Sequence, residues 1–124
     1  MKDNRPVNLD FTTFKLPLPA ITSILHRISG AILFFGIAGL LYLLDTSLGS
    51  PEGFASVTEW LGNPIVKLVI WAGVAALLYH LIAGVKHLIM DLGIGETLSG
   101  GVLGAKIVIV LAVLSIVVAG IWIW

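Results

Sequence analysis

The chain has 124 residues, 58% of them hydrophobic and only 11% charged, with a formal net charge of zero. So little charge cannot clothe a water-soluble domain of this size, and without a basic surplus the chain has no electrostatic footprint for nucleic acid. Cysteine is absent, which excludes disulfides and any iron–sulfur cluster held by thiolates of this chain. Composition describes a membrane protein.

Residues 1–20 are mixed in character and carry Lys2, Arg5 and Lys15 with Pro6, Pro17 and Pro19. A cleaved signal peptide has a short basic region followed at once by its apolar core, so this layout predicts that residue 1 is the mature start. Pro17 and Pro19 mark the expected beginning of the first helix, because proline is tolerated in a first turn and discourages helix before it.

Beyond this segment the charges fall in blocks and leave three long gaps. Ile28 to Leu44 is 17 residues without charge, Lys67 and Lys86 enclose 18, and 18 more follow Lys106 to Trp124. Roughly 20 apolar residues of helix cross about 30 Å of hydrocarbon, so each gap with a few flanking residues suffices. The runs are continuous rather than alternating, and helices satisfy their own backbone in lipid. The reading is an all-α membrane protein with an N-terminal segment, 1–20, and an anchor domain, 21–124. Its transmembrane helices are expected near 21–45, 64–90 and 103–124. The stretch 46–63 is read as the first loop. Gly93, Gly95, Gly100, Gly101 and Gly104 are taken together as a second connection.

Lysine and arginine set the orientation. Lys2, Arg5, Lys15 and Arg27 lie on the N-terminal side, Lys86 and Lys106 flank the second connection, and the first loop holds Glu52 and Glu59 but no basic residue. The N-terminus and second connection are therefore expected in the cytoplasm (or matrix), with Lys67 snorkelling on the far side and Trp122 and Trp124 anchored at that interface.

Several residues do not belong in lipid. Ser23, His26, Arg27 and Gly30 stand at i, i+3, i+4 and i+7, one face of the first helix near the cytoplasmic surface. Arg27 either snorkels to headgroups or, with the hydroxyl and imidazole beside it, offers a fixed cation to a small ligand. On the second helix Gly73, Ala76, His80, Ala83, Gly84 and His87 form a stripe of small residues and histidines. His80 precedes Asp91 by 11 residues, about 16 Å along the axis, well inside the hydrocarbon. An ionisable group at that depth is a functional candidate. It is a neutral imidazole hydrogen-bonded to a neighbouring helix, a proton relay, or an axial ligand of a haem admitted by the small residues beside it. His80 and His87 project the same way and cannot clasp one macrocycle between them. His26 is a conceivable second ligand, although a histidine from another chain is expected. His87 has the weaker claim, being near an interface. Ala112, Ser115 and Ala119 make a packing stripe on the third helix, to which no chemistry is assigned.

These stretches match a pattern. RPVNLD at 5–10 and SILHRIS at 23–29 resemble the first signature of the larger cytochrome b membrane-anchor subunits of succinate dehydrogenases, and HLIAGVKHLIMDLG at 80–93 is similar to the second. TSLGSPEGF at 46–54 also resembles the enterobacterial type, so the likeness spans nearly the whole chain. Lys86 departs from it, since the family usually has arginine there, and a planar fork is replaced by a point charge.

The resemblance implies a bacterial inner-membrane subunit of a four-part succinate:quinone oxidoreductase. A flavoprotein would oxidise succinate, an iron–sulfur protein would carry the electrons, and two three-helix anchors would pack together to hold haem b and reduce ubiquinone. It implies His80 as axial ligand to the haem iron, with Gly84 beside the haem and the other ligand from the partner anchor. His26 and Arg27 would stand near the propionates, and Ser23, Ile24 and Arg27 would line the quinone pocket, with Leu25 and Ile28 also available to its ring and tail. The dicarboxylate site would lie on another subunit. A fumarate reductase anchor, or a cofactor-free structural or channel-like protein, are the competing readings.

Overall fold

The computed structural model describes residues 6, 7, 9, 10, 12 and 15–124, and the described residues contain helices and no strand. Of the N-terminal basic residues, Lys2 and Arg5 lie outside the described set. Within it, the Thr12 hydroxyl and backbone N–H both donate to Asp10 Oδ1, at 2.7 and 3.0 Å, and hold that exposed carboxyl below its ordinary pKa.

Helix α1 runs Leu18–Gly49, with Pro17 as N-cap and Pro19 in the first turn. The prolines therefore start the helix as expected, three residues ahead of position 21. At its far end α1 continues past Asp45. Thr46 and Ser47 return their hydroxyls to the carbonyls of Tyr42 and Leu44, both at 2.8 Å, so polar residues extend the helix instead of breaking it.

The loop expected at 46–63 is mostly helix. Ser50 caps α2, Pro51–Gly62, its Oγ accepting from the Gly53 N–H at 2.9 Å, with Pro51 at the first helical position and Glu52 in the first turn. This short helix buries Val57 and leaves the acidic Glu52 and Glu59 exposed. Asn63 then caps α3, Pro64–Asp91, accepting from Ile65 N–H at 2.9 Å. Helix α4, Leu98–Ile123, is capped by Thr97 and starts five residues before the expected 103.

The glycine cluster divides into two kinds. Gly93 and Gly95 have φ of 82° and 72° and make the turn. Gly100, Gly101 and Gly104 belong to α4; Gly100 packs against the Gly95 carbonyl and Thr97 hydroxyl of the turn, while Gly101 and Gly104 let helices close in. Gly101 is buried beside Pro19, and a Cβ on Gly104 would lie 3.3 Å from Lys86 Cε. Three of the helices, α1, α3 and α4, are long and apolar enough to cross a membrane.

Packing follows the physics of helices in lipid. The buried apolar residues are small, Ala83, Ala105, Val108 and Ala112 on the spans and Val57 on α2, while Phe34, Phe35, Leu111 and Val118 face outward. Lipid tails solvate large apolar side chains as well as a core does, so close backbone approach at small residues holds the spans together. Helix α3 packs against both α1 and α4. At the end of the bundle away from the α1 N-terminus, Trp71 donates its indole N–H to the Ile116 carbonyl at 2.9 Å. Its ring lies across Gly120, where an added Cβ would come within 2.9 Å.

Candidate functional site

Near the α1 N-terminus, α1 and α3 are tied by a hydrogen bond through which Tyr79 donates its hydroxyl to the Thr22 carbonyl, 2.7 Å away. Thr22 is 2% exposed and turns its own hydroxyl to the Pro19 carbonyl, while Ala83 on α3 is 1% exposed and lets the helices approach. This contact fixes the register that brings the polar face of α1 onto the histidines of α3.

All the histidines of the chain meet there. The rings of His26 and His80 stack with centroids 4.1 Å apart and planes 9° from parallel, and His87 tilts against His26 at 5.0 Å. His80 Nδ1 lies 3.1 Å from Ser29 Oγ and 3.1 Å from the carbonyl oxygen of His26. Glycines make room on both helices: a Cβ on Gly30 would stand 3.0 Å from His80 Cε1, and one on Gly84 3.4 Å from His26 Nε2. Two imidazoles that clasp one metal point at it end-on from opposite sides, whereas these rings lie face to face. In this arrangement His26 and His80 do not ligate one haem from its two faces.

A cavity of about 710 Å³ opens beside the cluster, lined by Ser23, His26 and Arg27 from α1 and by His80, Gly84 and His87 from α3, with Leu81, Val85 and Leu88 as its apolar wall. That volume suits a sizeable small molecule. Its chemistry is a hydroxyl, a permanent cation and imidazoles on one side with aliphatic carbon on the other. Of the residues singled out from sequence, Ser23, His26, Arg27, His80 and Gly84 are together here. Ile24, Leu25 and Ile28 do not line the cavity. His87, given the weaker claim, belongs to the cluster. Ser29 and Gly30 escaped notice as contacts of His80, although Ser29 stands three residues after His26 and Gly30 four after it, positions that share a helix face.

A second cavity, about 560 Å³ and almost wholly apolar, lies between α3 and α4 and includes Lys86. The residue that departs from the family pattern thus points along Gly104 and does not line the histidine cavity.

Residues 1–119 match the family model of the succinate dehydrogenase/fumarate reductase transmembrane subunit. The chain belongs to this family. It is 45% identical, over the full length of both chains, to the succinate dehydrogenase cytochrome b556 subunit of Coxiella burnetii. It is 38% identical to the subunit of the same name in Paracoccus denitrificans, with 94% of this chain and 93% of that one covered. The mitochondrial cytochrome b560 subunit of Mus musculus is 33% identical over 90% of this chain and 68% of its own. With three membrane-length helices and full-length bacterial relatives, this is a membrane-anchor subunit of a succinate dehydrogenase, an oxidoreductase complex of the bacterial inner membrane. Membership implies the bilayer and the iron–sulfur and flavoprotein subunits as its partners.

Proposed function

We propose that this anchor binds haem b through His80 and ubiquinone through Ser23 and Arg27, and passes electrons from the iron–sulfur subunit to the quinone of a respiratory chain. The observation that carries the reading is the convergence of His80, Ser23 and Arg27, from two different helices, on one cavity. The cytochrome names of the relatives support a haem, and the donor set fits one: a half-buried imidazole at mid-depth, with Gly84 one turn further along the same helix. When bound, the haem supplies a one-electron redox centre. His80 would hold the haem from this chain, and a histidine of a second anchor subunit would complete the pair, since His26 stacks face to face on His80.

The remaining chemistry belongs to residues of this chain. Ser23 donates a hydrogen bond to a carbonyl oxygen of the quinone. Arg27, through its guanidinium cation, favours the negative charge that develops on that oxygen, and does so more strongly away from bulk water. His26 and Arg27 offer hydrogen bonds and charge to the haem propionates. With the N-terminus and the α3–α4 turn facing the cytoplasm, the site lies close to the soluble subunits and to protons.

The test compares two assays on the assembled complex. Ser23→Ala should lower quinone reduction roughly tenfold and Arg27→Leu on the order of 100-fold, with succinate oxidation by a water-soluble artificial acceptor unchanged. Equal losses in both assays would contradict a quinone-binding role.

A further inference from the structure

The geometry points to Ser29 and Gly30 as positioning residues that hold His80 as its Nδ1–H tautomer, with Nε2 left as the free, unprotonated metal-binding atom. This rests on the reading of His80 as a haem ligand and adds the residues that make it one.

The His26 carbonyl oxygen can only accept, and His80 Nδ1 lies 3.1 Å from it. Were Nδ1 unprotonated, two lone pairs would face each other at that distance. Nδ1 therefore carries the proton, and Nε2 does not. The carbonyl is also crowded with donors. As an interior helical carbonyl it takes the Gly30 N–H, and the Ser29 hydroxyl donates to it at 2.8 Å. A carbonyl oxygen has two lone pairs, and both are engaged. Ser29 Oγ, its own proton spent on the carbonyl, has lone pairs to spare 3.1 Å from Nδ1. The imidazole N–H is thus donated to the Ser29 hydroxyl oxygen, the acceptor with capacity left, while the nearby carbonyl oxygen favours the proton on Nδ1 electrostatically.

Ser29 is 5% exposed, so water does not substitute for it. Gly30 completes the seat. A Cβ there would stand 3.0 Å from His80 Cε1, so any larger residue would push the ring away from α1, and glycine lets it settle closest. A ligating histidine whose other nitrogen donates a hydrogen bond is held in orientation and made more basic. A more basic ligand favours the oxidised metal, so Ser29 keeps the haem potential lower than an unassisted imidazole would.

The test uses the purified four-subunit complex, with soluble-subunit copurification as the check on assembly. Ser29→Ala should retain haem, raise its midpoint potential, and speed haem loss to an acceptor protein about tenfold. Gly30→Ala should also speed haem loss, by displacing the ring. Ser29→Thr and Ser29→Val share one shape and differ by the hydroxyl, so Thr should behave as wild type and Val as Ala. Equal haem-loss rates and potentials in the Thr and Val variants would overturn the assignment, whether or not the Ala variant assembles. His80→Ala separates the two levels: a complex that kept its haem would refute the ligand reading itself. Haem lost in His80→Ala but insensitive to every Ser29 change would refute the seat alone.

Discussion

Small residues decide what the larger ones can do in this molecule. Gly84 lies 3.4 Å, measured from an added Cβ, from His26 Nε2, so alanine there should be tolerated. A leucine would reach into the cavity it lines. Gly84→Leu should therefore abolish the haem spectrum while Gly84→Ala keeps it, and an intact spectrum in the leucine variant would remove Gly84 from the site. At the opposite end Gly120 carries the Trp71 ring, and an added Cβ would meet ring atoms at 2.9 Å. Gly120→Ala should destabilise the α3–α4 contact by about 1–3 kcal/mol, seen as a lower midpoint of thermal inactivation in detergent. Trp122, 86% exposed, is a contrasting case. Its replacement by alanine should leave quinone reduction within about twofold of wild type, since an outward-facing interfacial anchor touches no chemistry.

At the scale of elements, each helix after α1 begins at a side-chain cap: Ser50, Asn63 and Thr97 accept from backbone N–H groups at 2.9 to 3.0 Å. Ser50→Ala should cost about 1 kcal/mol, read as faster amide exchange across residues 51–62 with α1 and α3 unaffected. That helix was legible in principle, since Ser50, Pro51 and Glu52 are a start signal, but it has no long apolar run, and a search for spans passes over it. The three spans were legible because uncharged length is an unambiguous signal. Their ends were less so. Gly93 and Gly95 turn the chain while Gly101 and Gly104 pack helices, and composition cannot tell a positive φ from a close approach. The candidate site was readable residue by residue on each helix. What periodicity could not supply was the relative rotation of α1 and α3. That rotation stacks His26 on His80, draws in His87 and leaves Ile24 outside the cavity.

As a whole, the molecule is a frame with much of its apolar surface turned outward, as suits a subunit surrounded by lipid. No cysteine is present, so the chain holds no iron–sulfur cluster through thiolates of its own. The central claim, that His80 holds a haem next to a quinone site, is tested most directly by a reduced-minus-oxidised optical spectrum of the purified complex, wild type against His80→Ala. A b-type band in the wild type that vanishes from an assembled His80→Ala complex is the expected result. A band that survives the substitution, or none in the wild type, would contradict the account.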